Sequence, residues 1–374
     1  MSNQQQNVHS TEALFQPYTI HNLTLQTRIV MPAMGRAFSP NGVPGPDVAA
    51  YYRRRAENGV GLIITEGAVI DHPAGTSEPR VPNFYGEAAL NGWAEVVRQV
   101  HEAGSKIFPQ IWHMGMARPL GSQPNPEALS IGPSGLDLEG NKVTEPMTEE
   151  EIIKVIGAYA DAAANAKRLG FDGVEIHGAH GYLVDQFFWE RTNQRTDRYG
   201  GDIIKRAQFA IELVEAIRAE VGPDYPIVMR LSQWKMNDYN AKPFDTPDKL
   251  EQFLNVLVQA GVDIFHCSTR RFWVPEFEGS DLSFAGWVKK LTGKTTITVG
   301  SVGLDEDFVS LYTEGKEAGH QDINELLERL DNNEFDLVAV GRALLGDPAW
   351  ATKIREGRIH DLQAFTPEVL KTLN

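Results

Sequence analysis

Residues 171–182, FDGVEIHGAHGY, are a short apolar run that ends in His177 and His180, with Tyr182 two residues further on. Within it Gly173–His177 reads as a buried strand. Seven similar runs recur along the chain: Arg28–Met34, Gly61–Glu66, Lys106–Ile111, Ile227–Leu231, Asp263–Cys267, Thr296–Val299 and Leu337–Val340. Most precede a helical pattern, and eight such units predict a (β/α)₈ TIM barrel. Helix starts are well marked, by a capping box over Thr148–Glu151 and by Thr246 followed by Pro247. The first run then sets two imidazoles and a phenol at the barrel mouth, groups suited to polarising a carbonyl and delivering a proton.

Outside the barrel units, Tyr18–Leu25 reads as a hairpin placed to plug the N-terminal end. The segments Trp112–Pro146 and Ser268–Phe284 exceed ordinary βα connections and overhang the C-terminal face, where barrel enzymes keep their chemistry. A third insertion is expected at Leu311–Gln321. With no linker, repeat or low-complexity tract, the expectation is a flexible arm at 1–12 and a single domain at 13–374.

A chain of 374 residues, 42% hydrophobic, can bury a large core. Its formal net charge of −15 provides no global field for nucleic acid or an anionic membrane, so any phosphate must be held locally. The one cysteine, Cys267, cannot close an intramolecular disulfide, and cysteine clusters for iron–sulfur or zinc are absent. The polar start MSNQQQNVHS is unlike an export signal, and no apolar run reaches the roughly 20 residues of a membrane span. A cytoplasmic protein is expected.

In a barrel, Pro32 to Gly35, Glu66, Gly67, Gln110, His177, Arg230, Gly300 and Gly341 fall at or just beyond strand ends and line one cavity. Gly300 with Ser301, and Gly341 with Arg342, follow strands seven and eight, where free N–H groups and an arginine cradle phosphate. Singly, a glycine there is only a turn. Arg230 fits a structural ion pair as well as a guanidinium facing a cofactor. His177 and His180 admit three readings: a metal pair lacking any third-ligand motif, a structural cap, or a catalytic pair that also employs Tyr182. Gly293-Lys294-Thr295 imitates a P-loop but has Val288 where glycine is required, and no GxGxxG follows a strand.

From about Leu14 to Ala351 the chain resembles the old yellow enzyme family of FMN-dependent NADH:flavin oxidoreductases. The likeness rests on LFQPYTI, RIVMPAM, YYRRRAENGVGLIITEG, GWAEVVRQVHEAGSKIFPQIWHMG, HGAHGYLVDQFF, NQRTDRYGG, VMRLS and VAVGRALLGDP. It implies FMN at the C-terminal mouth of the barrel. Pro32, Ala33, Met34 and Gly35 would run beside the isoalloxazine, with Gly67 and Gln110 in contact. Arg230 would sit near N1, and Gly300, Ser301, Gly341 and Arg342 would hold the phosphate. His177 and His180 match the carbonyl-binding pair and Tyr182 the proton donor. Three departures stand out: Gly35 where the family often has Thr or Cys, Gly67 for alanine, and Met116 for the arginine of an HxGR run.

The resemblance implies hydride transfer from NADH or NADPH through flavin to the β-carbon of an α,β-unsaturated carbonyl or nitroalkene, without metal. Trp112 and Trp273 are candidates for the substrate wall or, equally, for loop anchors packed on the barrel. The rival readings are a metal-dependent barrel hydrolase using His177 and His180, and a non-catalytic scaffold.

Overall fold

An antiparallel hairpin and a closed barrel of eight strands organise the computed structural model, which describes residues 10–307 and 317–374. The hairpin pairs β1 (Tyr18–Ile20) with β2 (Leu23–Leu25). The barrel strands are β3 (Ile29–Met31), β4 (Leu62–Val69), β5 (Lys106–Trp112), β6 (Val174–His180), β7 (Ile227–Lys235), β8 (Ile264–Ser268), β9 (Thr295–Val299) and β10 (Leu337–Ala339). Each is parallel to its neighbour, and β10 closes on β3. The protein is a (β/α)₈ barrel.

Alternation along the strands creates two cores. Outward residues such as Ile63, Ile107, Val174, Ile176 and Phe265 pack under the helices. Inward residues Val30, Leu62, Ile64, Phe108, Val228, Ile264, Ile297 and Leu337 fill the barrel, and Ile20 and Leu25 of the hairpin join them from the N-terminal end. The hairpin therefore plugs the barrel, as its sequence suggests.

The marked helix starts form as expected. Thr148 accepts from the Glu151 N–H at 3.2 Å while Glu151 accepts from the Thr148 N–H at 2.7 Å, opening the helix Glu149–Leu169. Three strands run three or more residues beyond their expected ends: β4 to Val69, β6 to His180 and β7 to Lys235. A register shift between Gly178 and His180 lets β6 continue past the glycine and sets His180 opposite Lys235.

Residues 1–9 of the expected arm and 311–316 of the third insertion lie outside the described residues. The arm's end is built in: Thr11–Phe15 forms a 3₁₀ turn with Leu14 buried, and the Leu14 carbonyl accepts from Arg28 N at 2.8 Å. Within the long segment after β5, Arg118 is buried and donates to the carbonyls of Thr76, Ala128, Ser122 and Asn125. One guanidinium thus pins a loop that has little regular structure of its own.

Candidate active site

Two-residue steps up the barrel wall carry the interior from apolar to polar. Phe108 is followed by Gln110 and Trp112, Val228 by Arg230 and Ser232, and Ile264 by His266 and Ser268, while β6 is polar at both steps, Glu175 and His177. Above the polar tier opens a cavity of about 460 Å³ at the C-terminal mouth. Pro32, Ala33, Met34, Gly35, Gly67 and Gln110 line it, as do Trp112, His177, His180, Tyr182 and Arg230, and so do Gly300, Ser301, Gly341 and Arg342. Trp273 is the exception among the expected residues. It packs on Phe272 at 5.0 Å between centroids and against the outer core, and it is not part of the cavity wall, so its place matches the loop-anchor reading.

The three rings of the opening motif meet edge to face. His177 lies 5.1 Å from His180 and 4.9 Å from Tyr182 between centroids, and Trp112 stands perpendicular to Tyr182 at 5.2 Å. His177 Nδ1 accepts from the Ala179 N–H at 3.3 Å, so in the neutral ring the proton sits on Nε2. His180 Nε2 is 2.7 Å from Ser268 Oγ. Burial, reinforced by the nearby Arg230 charge, holds both histidines well below the ordinary imidazole range. They are neutral hydrogen-bonding groups near pH 7.

His180 keeps this place through a backbone at φ 65°, a left-handed conformation uncommon for a residue with a side chain. Its N–H donates to Ser232 Oγ at 2.9 Å. The next N–H, from Gly181, donates to Asp185 Oδ2 at 2.7 Å, and Asp185 Oδ1 accepts from Lys235 Nζ at 2.7 Å.

Arg230 is buried and donates from Nη1 to the Ala33 carbonyl at 3.2 Å, while its Nε has no partner among the described residues. Such an orphaned, charged donor beside a cavity fits a flavin, whose pyrimidine edge carries carbonyl acceptors. Gln110 Nε2 donates to Glu175 Oε1 at 2.7 Å, and His266 Nδ1 donates to Glu175 Oε2 at 2.7 Å. At the opposite rim Gly300 has φ 146°, and a Cβ there would lie 2.7 Å from the Thr269 carbonyl, so only glycine serves. Arg342 Nη2 reaches Ser301 Oγ at 3.5 Å, and Arg270 and Arg271 each meet Asp307 at 2.8 Å. The glycine turn at Gly300, with Ser301, Arg342 and Arg270 along the same wall, suits a phosphate in this acidic chain.

Trp234, Ser268 and Arg270 also line the cavity and are absent from the sequence-derived set. The Trp234 ring lies 4.4 Å from that of His180. Its signal is the inward alternation Arg230, Ser232, Trp234, visible only if β7 is carried past Leu231. Phe365 and Leu370 reach the cavity from the C-terminal tail, with no motif to announce them. Among the described residues, no group of three His, Cys, Asp or Glu side chains is arranged to hold a metal ion, and no helix is long and apolar enough to cross a membrane.

Residues 13–361 match the family model described as NADH:flavin oxidoreductase / NADH oxidase. The NADH oxidase of Thermoanaerobacter brockii is 33% identical over 359 residues, covering 94% of this chain and 52% of that protein, so the chain spans about half of its length. The 12-oxophytodienoate reductase 7 of Oryza sativa subsp. japonica is 37% identical over 260 residues, 66% of this chain and 65% of that protein. Morphinone reductase in complex with tetrahydroNAD superimposes with a TM-score of 0.79 at 28% identity, covering 96% of this chain and 93% of the other. The motifs, the barrel and these matches agree: the chain belongs to the NADH:flavin oxidoreductase / NADH oxidase family, that of old yellow enzyme.

Proposed function

We propose that the protein is an FMN-dependent ene-reductase that draws on NADH or NADPH and reduces α,β-unsaturated carbonyl compounds or nitroalkenes. One observation carries this reading: His177, His180 and Tyr182 gather at the mouth of the same cavity whose walls hold Arg230, Gln110 and the Gly300–Arg342 rim. Relatives named for reducing an oxophytodienoate and morphinone support the substrate class.

Gly300, Ser301, Gly341 and Arg342 would grip the FMN phosphate, with Arg230 and Gln110 at the pyrimidine and Pro32 to Gly35 along the ring. Bound FMN would supply the redox chemistry, a two-electron relay between the nicotinamide and the alkene. His177 and His180 would hold the substrate oxygen and draw electron density from the double bond. Being neutral, they stabilise negative charge by hydrogen bonding rather than by giving up a proton. Donors aimed at developing charge contribute about 2.7–4 kcal/mol each. Tyr182 would deliver the proton to the α-carbon.

An anaerobic titration tests the proposal. Purified protein carrying flavin absorbance should bleach with NADH or NADPH and regain its colour on adding 2-cyclohexen-1-one. Protein that takes up no FMN, or reduced flavin untouched by enones and nitroalkenes alike, would rule it out.

A further inference from the structure

Glu175 belongs to the opening motif yet has no part in the chemistry proposed above. It sits on β6 one inward step below His177 and is completely buried. A carboxylate accepts hydrogen bonds and donates none, so each neighbour must turn a donor toward it. Gln110 does so with Nε2, and His266 with Nδ1. The Gln110 amide is thereby oriented by its partner. Its remaining atom, Oε1, lies on the side of Gly67, where a Cβ would be 3.2 Å away, and Gly67 and Gln110 both line the cavity.

Charge in this tier follows the same layout. Burial lowers the Arg230 guanidinium, and the Glu175 carboxylate opposes that effect by favouring its charge. Burial pushes the Glu175 carboxyl up, but His266, Arg230 and the Gln110 hydrogen bond outweigh it and hold the group below the ordinary glutamate range. Burial lowers His266 against the opposing pull of Glu175, and its Nδ1 donates to that carboxylate. The Glu175 carboxylate and the Arg230 guanidinium thus lie as opposite charges beneath the cavity floor.

We infer that Glu175 is a positioning residue for the flavin: it makes Gln110 present an acceptor to the ring's N3–H, and its charge tempers the pull of Arg230 on the reduced, anionic ring. The inference rests on the FMN reading. An acceptor facing an N–H forms a hydrogen bond, whereas an NH₂ in that place would leave two donors opposed. A cation favours the reduced anion, so an anion behind it lowers the reduction potential.

Glu175→Gln keeps the shape, removes the charge and frees the Gln110 amide to turn over. Apoprotein is titrated with FMN and with 3-methyl-FMN, which lacks the N3–H, and the midpoint potential of bound FMN is measured. The wild type should prefer FMN by about tenfold or more. The variant should lose most of that preference and show a more positive potential. Glu175→Asp keeps the charge with a shorter reach, so it should lose the preference while holding the potential near that of wild type; it serves equally if the glutamine variant does not fold. A folded Glu175→Gln protein with both quantities unchanged overturns the inference, as does wild type that binds the two flavins equally. Wild type that binds neither flavin contradicts the FMN reading instead.

Discussion

Asp185 and Lys235 meet at 2.7 Å between the helix that follows β6 and the end of β7, with side chains 2% and 0% exposed. Asp185 also takes the Gly181 N–H, and Lys235 donates to the Ser232 carbonyl at 3.1 Å. The pair thus ties down the turn between His180 and Tyr182 from the helix on one side and from β7 on the other. Removing one partner strands a buried charge, which costs about 3–5 kcal/mol. Asp185→Ala should lose stability on that scale in urea unfolding, and the double variant Asp185→Leu with Lys235→Met should recover much of it. A single variant within about 1 kcal/mol of wild type would show that the pair carries no such weight.

Tyr182→Phe separates the two half-reactions. The ring and its edge contacts with Trp112 and His177 remain, so the cavity wall should keep its shape. Positioned acids contribute roughly 10²–10⁴-fold. In anaerobic stopped-flow, reoxidation by an enone should slow by that order while reduction by nicotinamide stays near wild type. Equal losses in both halves would remove Tyr182 as the proton donor.

Gly35 has no atom within 4 Å of the place a Cβ would occupy, and its φ lies outside the left-handed region, so a side chain fits there unstrained. Gly35→Thr should leave stability unchanged or raise it by up to about 1 kcal/mol through the unfolded chain. Its hydroxyl would face the flavin and shift the midpoint potential upward, whereas Gly35→Ala should match the stability gain without the shift. Identical potentials in the two variants would place that position away from the ring.

The repeated strand pattern exposes the barrel because each strand is local, and His177, His180 and Tyr182 can be read together because six residues of one chain segment carry them. The wall opposite is harder to read. Trp234 belongs to a strand whose polar residues, Ser232 and Gln233, look like its end until β6 and Lys235 are seen to continue the pairing. Trp273 looks as good a wall residue as Trp234, and only packing distinguishes them. Phe365 and Leu370 arrive through a long-range return: the tail is held by Arg36 donating to the carbonyls of Val369 and Thr372, a contact more than 330 residues apart in sequence that no local pattern encodes.

Glu66 makes stability depend on pH in a defined direction. Its buried Oε2 accepts the N–H groups of Arg36 and Ala37 at 2.8 and 3.0 Å, holding the segment after Gly35. Burial raises its pKa from 4.5 to about 7, against the lowering effect of those hydrogen bonds. The unfolded chain releases the proton first as pH rises, so between about 4.5 and 7 the native state binds more protons and stability falls with pH. The penalty is absent below that window, complete above it, and on the order of 3 kcal/mol. Glu66→Gln removes the titration, so the stability difference between variant and wild type, measured by denaturant at pH 4.5 and at pH 8, should shift in the variant's favour at the higher pH. A difference independent of pH would mean that Glu66 ionises in the folded protein as readily as in water.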